Sequence, residues 1–311
     1  MNTDRGSFTR PLQSETAGVI RDLKNDVNRQ TFGNGTGAIA PISGVNTAAV
    51  FPVANATTTQ MRQLEEGMVI SIGTLANPVL RTASAVIASV QVAAKTVTLT
   101  TTVTTSATDF IFRQGSGGVV GTDQKEVTGL AAIVAPTGTL FGINPATVSR
   151  WASYSDTNAG TPRAVTENMF TRASMEVSIR SGEQINLWVT TDGVQRGVAN
   201  LMQSLRRFPV PTQLKSGYSG IDMSANLQGQ TGTSEVTLTY DKDCTGNTAY
   251  GLTTGRIQQY RMSDWEFMEE DGAVLSRVSG VDAYEATLFC YHEMAVDSRN
   301  AHAVISDLTE S

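Results

Sequence analysis

The sequence predicts an α+β fold, and three observations carry that reading. Residues 166–208 alternate as helix, buried strand and helix. Residues 67–113 hold four short runs, 67–72, 85–92, 95–100 and 109–113, each of strand length and rich in Val, Ile and Thr. Across all 311 residues the abundance of Gly, Thr, Ser, Ala and Val favours strands and turns over a bundle of helices.

Taken from the N-terminus, residues 1–13 are polar, carry Arg5, Arg10 and Pro11, and are expected to form an extended arm. Ser14 is placed to cap a helix with Glu15 in its first turn and Ala17, Ile20, Leu23 and Val27 on a narrow apolar stripe. The run from Phe32 to Gly37 ends that helix, and residues 38–60, without helical period, are expected to be extended. The four short runs then predict a five- or six-stranded antiparallel barrel over 61–115, with the Gly-rich stretch 114–118 as its exit linker.

In 166–208, Thr166 can cap a helix carrying Met169, Phe170, Ala173 and Val177 that stops near Ser181 and Gly182. The run Gln184-Ile-Asn-Leu-Trp-Val-Thr-Thr191 follows as a strand. A second helix carries Val194, Val198, Leu201, Met202 and Leu205 and ends on Arg206, Arg207 and Phe208. Trp188 is expected in the core where the strand meets both helices, with Phe170 and Trp151 as further core anchors. Residues 209–255 offer one clear strand, 235–240. The stretches 256–262, 273–278, 284–296 and 301–305 are read as strands.

The net charge is −6 and the isoelectric point about 5.0, which argues against a protein that grips nucleic acid by neutralising phosphates. Two cysteines, Cys244 and Cys290, make no disulfide framework and fit folding in a reducing compartment. The first residues lack an apolar core of signal-peptide length, and no window has the apolar length of a membrane span. The chain is expected to be made and folded in the cytoplasm.

Reaction chemistry is sparse. Cys290 and His292 stand two apart on a strand, so alternation places them on one face, as a nucleophile and its base require. Ordinary strand packing explains the same spacing. With only His292 and His302 available and no CxxC or HExxH pattern, a zinc site is not indicated. The acidic run Glu266, Glu269, Glu270 and Asp271 before Gly272 reads as a hairpin turn rather than a cation site. The Gly-rich segments 33–37 and 115–121 do not match a phosphate loop. Arg206 and Arg207 suit a helix C-terminus; an intersubunit salt bridge is the sharper reading of the same pair.

The order of these pieces resembles the major capsid proteins of tailed bacteriophages. Three stretches carry the likeness: Asp22-Leu-Lys-Asn-Asp-Val-Asn-Arg-Gln-Thr-Phe-Gly-Asn-Gly-Thr-Gly37; residues 127–134 with 138–143 and Trp151; and residues 187–196 through Arg206, Arg207 and Phe208. Residues 282–294 and Ser298-Arg-Asn-Ala301 add to it. The resemblance implies an N-terminal arm, helix and extended segment over 1–60 and an inserted small antiparallel β-barrel over 61–115. It implies a peripheral domain over 116–183 with a spine helix at 166–181, an axial domain with a central sheet flanked by helices over 184–258, peripheral return strands over 259–297, and a C-terminal strand over 298–311 that rejoins the axial domain. It also implies more chain ahead of Gly6 than is found here, residues 1–13 matching only the end of an arm.

In function the resemblance implies a structural protein, not an enzyme, that self-assembles as hexamers and pentamers of an icosahedral shell around double-stranded DNA. No cofactor and no metal is expected. The implied partners are further copies of the chain, a portal protein, a scaffold, a decoration protein, and packaged DNA contacted weakly and without sequence specificity; no membrane partner is expected. Its place is the virion, after assembly in the host cytoplasm. Candidate intersubunit contacts are Arg5, Arg10, Arg206 and Arg207. Two other readings stand beside this one: an encapsulin-like nanocompartment shell enclosing a cargo enzyme, and a cysteine hydrolase using Cys290 and His292.

Overall fold

The computed structural model describes residues 5–75, 80–114, 126–204, 211–213, 219–222, 236–269, 272–281 and 284–310. It opens with a 28-residue helix, α1 (Arg5–Phe32), about 42 Å long at 1.5 Å per residue. This corrects the expectation of an extended arm ending at Ser14: the helix starts nine residues earlier, and Ser14 is an interior position, not a cap. Once a helix is nucleated each further residue adds a hydrogen bond, and α1 runs through Pro11 despite the donor it lacks and the crowding of its ring.

Six antiparallel strands follow: β1 (Ala38–Pro41), β2 (Asn46–Pro52), then, after the short helix α2 (Thr58–Arg62), β3 (Val69–Thr74), β4 (Leu80–Gln91), β5 (Thr96–Thr105) and β6 (Asp109–Arg113). Their order is β1-β6-β3-β4-β5-β2. β4 is long because it serves two neighbours, pairing β3 through its first half and β5 through its second. The two edge strands are consecutive in sequence, and the Ser43 amide donates to Pro52 O across the connection at 2.9 Å, drawing the edges together. Phe51, Ile70, Ile72, Ile87, Val97 and Ile111 fill the interior. The module therefore begins at Ala38, not at 61. β1 and β2 were read as free extended chain because their alternation is weak; edge strands need only one paired side. Helix α2 starts with a capping box, Thr57 and Gln60 bonding each other's backbone amides.

The second unit comprises α3 (Leu130–Ile133), β7 (Tyr154–Asp156), α4 (Glu167–Ser181), β8 (Leu187–Thr190), α5 (Asp192–Ser204), β9 (Pro211–Gln213), β10 (Ser219–Asp222), β11 (Thr237–Tyr240), β12 (Ala249–Leu252), β13 (Ile257–Phe267), β14 (Ser276–Arg277), β15 (Tyr284–Glu285), β16 (Leu288–Val296) and β17 (Ala303–Ile305). Seven of these strands form one mixed sheet in the order β7-β17-β12-β8-β11-β10-β9. The β8 strand is central, antiparallel to β12 and parallel to β11.

Period-two alternation splits the sheet into two dry faces. One face carries Trp188, Leu238, Ala249, Ala303 and Ile305. It is covered by Phe170, Ala173 and Val177 of α4 and Val194, Val198 and Met202 of α5. The opposite face carries Leu187, Val189, Tyr250, Leu252 and Val304, and is covered by Phe32 of α1, by α3 and by Met294 and Val296 of β16. Trp188 is wholly buried, its ring edge-on to Phe170 at 4.9 Å and 85°. Its register partner on β12 is Gly251. A Cβ there would lie 2.7 Å from the Trp188 ring, so the indole occupies the space that any other residue at 251 would need.

The end of α1 is docked by charge and close approach. Arg29 bonds Glu126 through both terminal nitrogens (2.5 and 3.2 Å) and Asp26 through Nε (3.1 Å), and Asp26 also pairs with Arg113 at the end of β6 (2.8 Å). The Asn28 amide donates to Asp241 and Asp243. Gly129 presses on the carbonyls of Gln30, Thr31 and Gly33, where a Cβ would sit within 2.6 Å. Upstream, residues 14–25 of α1 are largely exposed.

The C-terminal strands depart from expectation. The 273–278 strand shrinks to the two-residue β14 paired with β15, while β13 runs on to Phe267 and pairs with β16 as an isolated two-stranded ribbon.

His302 is fully buried, and its Nδ1 accepts the Thr253 amide hydrogen at 3.2 Å. Burial disfavours the imidazolium and lowers its pKa to about 4. The folded state therefore binds less proton than the unfolded state below pH 6.5, and stability is lost as pH falls from 6.5 towards 4. By 1.4 kcal/mol per unit this group accounts for about 3 kcal/mol. Thermal melts across that window should show a steep fall that flattens in His302→Asn, whose amide oxygen keeps the bond to Thr253. Chemical denaturation should show Trp188→Ala destabilising the second unit by about 3–5 kcal/mol and Gly251→Ala by about 1–3 kcal/mol through overpacking.

Candidate functional site

The sequence-predicted residues do not converge on one pocket. Phe170 and Trp188 share the core described above, whereas Trp151 is half-buried against the other face of the sheet, with its indole nitrogen buried and unpartnered among the described residues. Arg5 and Arg10 lie on the helical backbone of α1, their side chains outside the described residues, as are Arg206, Arg207 and Phe208 entirely. Of the acidic run, Glu266 stands on β13 opposite Phe289, Gly272 takes φ +78°, and Glu270 and Asp271 fall outside the described residues.

Cys290 and His292 do meet on β16, Sγ to Nδ1 at 3.5 Å. Their electrostatics run against nucleophilic chemistry. Burial, with Asp264 adding to it, pushes the Cys290 thiol up, and burial together with the nearby Arg261 cation pushes the His292 imidazole down. An activated pair needs thiolate beside imidazolium; here both partners are held neutral. No third group orients the ring, since His292 Nε2 is buried without a partner among the described residues. The thiol instead leans on the Ser263 carbonyl at 3.8 Å.

What the fold does present is uncovered apolar surface on three elements. The β13–β16 ribbon is rooted where Ile257 opposes Val296 and extends to Phe267 opposite Leu288, about 35 Å at strand rise. Its pairing slips on either side of Ser263, and Met262 at the first slip is 92% exposed. Tyr260 and Tyr291 are also exposed. On α4 the outer face shows Met175 and Ile179 one turn apart, the latter 79% exposed. The third element is the loop after α3, where Phe141, Ile143 and Val148 are exposed.

That loop is held from below by Arg299, a residue whose role sequence reasoning missed. The side chain is 1% exposed. Its Nε donates to Ile133 O (3.0 Å), one terminal nitrogen to Gly138 O (2.8 Å), and the other to Ala132 O (2.9 Å) and Thr137 O (2.8 Å). Burial lowers its pKa, and among the described residues no carboxylate pairs with it. A guanidinium fan of donors is the side chain able to gather four carbonyls at once. The only signal in the sequence was an arginine in the otherwise uncharged stretch 298–305.

No family model and no curated protein matches the sequence. Among solved structures, the fold is similar to a chain of the cyanophage A-1(L) capsid asymmetric unit, with 18% identity and a TM-score of 0.43; the match spans 62% of this chain and 62% of that one. It is also similar to the holo-SrpI encapsulin complex from Synechococcus elongatus PCC 7942, with 17% identity and a TM-score of 0.32 over 50% of this chain and 52% of that one. This chain thus spans about three fifths of the capsid chain's length and about half of the encapsulin's.

Proposed function

We propose that the chain is a structural subunit that assembles with copies of itself into a closed icosahedral shell. The finer reading is a tailed-phage major capsid protein forming hexamers and pentamers around double-stranded DNA in the virion, with portal, scaffold and decoration proteins as partners. The observation that carries the assembly reading is the β13–β16 ribbon. A two-stranded ribbon is marginal by itself in water, yet this one projects with Tyr260, Met262 and Tyr291 uncovered. Such a surface suits a neighbour, and repeated contacts of one chain with itself close into symmetric assemblies. The ordered sequence resemblance and the paucity of reaction chemistry support the same reading. In it, residues 116–183 and 259–297 form the peripheral domain, 184–258 the axial domain, and Arg5, Arg10, Arg206 and Arg207 make intersubunit contacts.

Electron microscopy of the purified chain should show closed particles; monomers or dimers at every concentration would sink the proposal. Nuclease-protected double-stranded DNA inside the particles distinguishes a capsid from an encapsulin-like compartment, whose particles would hold a cargo protein. Arg206→Glu should leave far-ultraviolet circular dichroism and melting unchanged while reducing particle yield. Unchanged yield would assign the pair to the helix end alone.

A further inference from the structure

The loop from Gly138 to Val148 holds a contradiction that packing within one chain does not resolve. Leu140 and Ile143 exchange backbone hydrogen bonds, Ile143 N to Leu140 O at 2.9 Å and Leu140 N to Ile143 O at 3.1 Å, around a two-residue turn. Both turn residues are left-handed, Phe141 at φ +49° and Gly142 at φ +79°, the φ signature of a type I′ turn. Gly at the second position is the favoured choice; at the first, Asn, Asp or Gly is favoured and a bulky aromatic is a steric outlier. Phe141 is nevertheless 50% exposed, so its own fold does little to offset the strain. The turn is not loose: Arg299 clamps the carbonyls of Thr137 and Gly138 immediately before it. A strained, rigidly mounted and exposed aromatic, flanked by exposed Ile143 and Val148 and by the exposed cation Arg150, has the make-up of a contact knob.

The same chain carries a matching cleft. At the far end of the ribbon Phe267, Met268, Val274 and Phe289 line an open hollow bordered by Glu266 and Glu269. A hollow lined by apolar side chains and two carboxylates complements an exposed apolar turn on a segment that also carries an exposed arginine. We propose that the Phe141 turn of one copy seats in the ribbon-tip cleft of a second copy, with Arg150 facing Glu266 and Glu269. The inference rests on the self-assembly reading. The contact joins two different patches, so it is heterologous and propagates from copy to copy until rotation closes it.

The test uses the full chain and the variant Phe141→Asn, which installs Asn-Gly, the preferred type I′ pair. It should melt at or above the wild-type temperature, yet need at least about tenfold more protein to assemble, as loss of a central aromatic contact predicts. Arg150→Glu should impair assembly, and adding Glu266→Arg with Glu269→Arg in the same chain should restore it. A lower melting temperature for Phe141→Asn would overturn the proposal, because the ring would then be packing within its own fold. Wild-type assembly by Phe141→Asn, or failure of the charge reversal to rescue, would overturn this contact while leaving the shell reading intact. A wild-type chain that never assembles would remove both.

Discussion

The Arg299 guanidinium binds together parts of the chain more than 160 residues apart. Taking a cation out of water costs several kcal/mol unless its donors are met, and here they are met by backbone carbonyls of residues 132–138 rather than by a carboxylate. That choice has a structural consequence. A carboxylate would satisfy the charge from one flexible side chain, whereas four carbonyls satisfy it only when the whole loop takes one shape. The 3-10 turn Arg299–Ala301 lies beside α4, and Thr253 bonds the Ala301 carbonyl and the His302 ring. The clamp therefore sets the loop after α3, the entry of β17 into the sheet and the C-terminal end of α4 together.

From that anchor the molecule divides into a rigid body and parts that project from it. The sheet is dry on both faces, and Trp188 laid over Gly251 holds β8 and β12 in register against α4. The six-stranded sheet has a separate core and meets the body at Arg113 on Asp26, at Thr57 against Gly246, and around a cleft lined by Asp22, Asn25, Arg62 and Lys242. Helix α1 is tied along its last turns by Asn28 and Arg29. The ribbon is tied at its base, where Met294 and Val296 join the core. Burial is concentrated in the sheet and its covering helices, while Met262, Tyr260, Tyr291 and Ile179 stay exposed.

The Cys290–His292 pair illustrates how far spacing carries an argument. Alternation on a strand correctly put the two side chains on one face, and they touch. Proximity alone supplies no thiolate, because burial raises the thiol and lowers the imidazole. The acidic run reads in sequence as a hairpin, whereas β13 pairs with β16 and β14 with β15; Glu266 and Glu269 acquire a second meaning beside Phe267 and Phe289.

Local pattern determined much of this protein. The amphipathic period of α4 and α5, the isolated apolar strand between them and the turn-punctuated β-branched runs are all short-range features, and each specifies its own element. The order of those elements sufficed to suggest the family likeness. Other features escaped local pattern because their causes are distant in sequence. The helical start at Arg5 followed from propagation through a region without apolar period. The membership of β1 and β2 in the six-stranded sheet depends on β6 and β5, far along the chain. Gly251 needed Trp188 opposite it to matter, Arg299 needed the carbonyls of 132–138, and Phe141 needed the left-handed turn that exposes it. Tertiary structure decided these because long-range pairing and close approach are properties of two segments at once, and neither segment alone carries their signal.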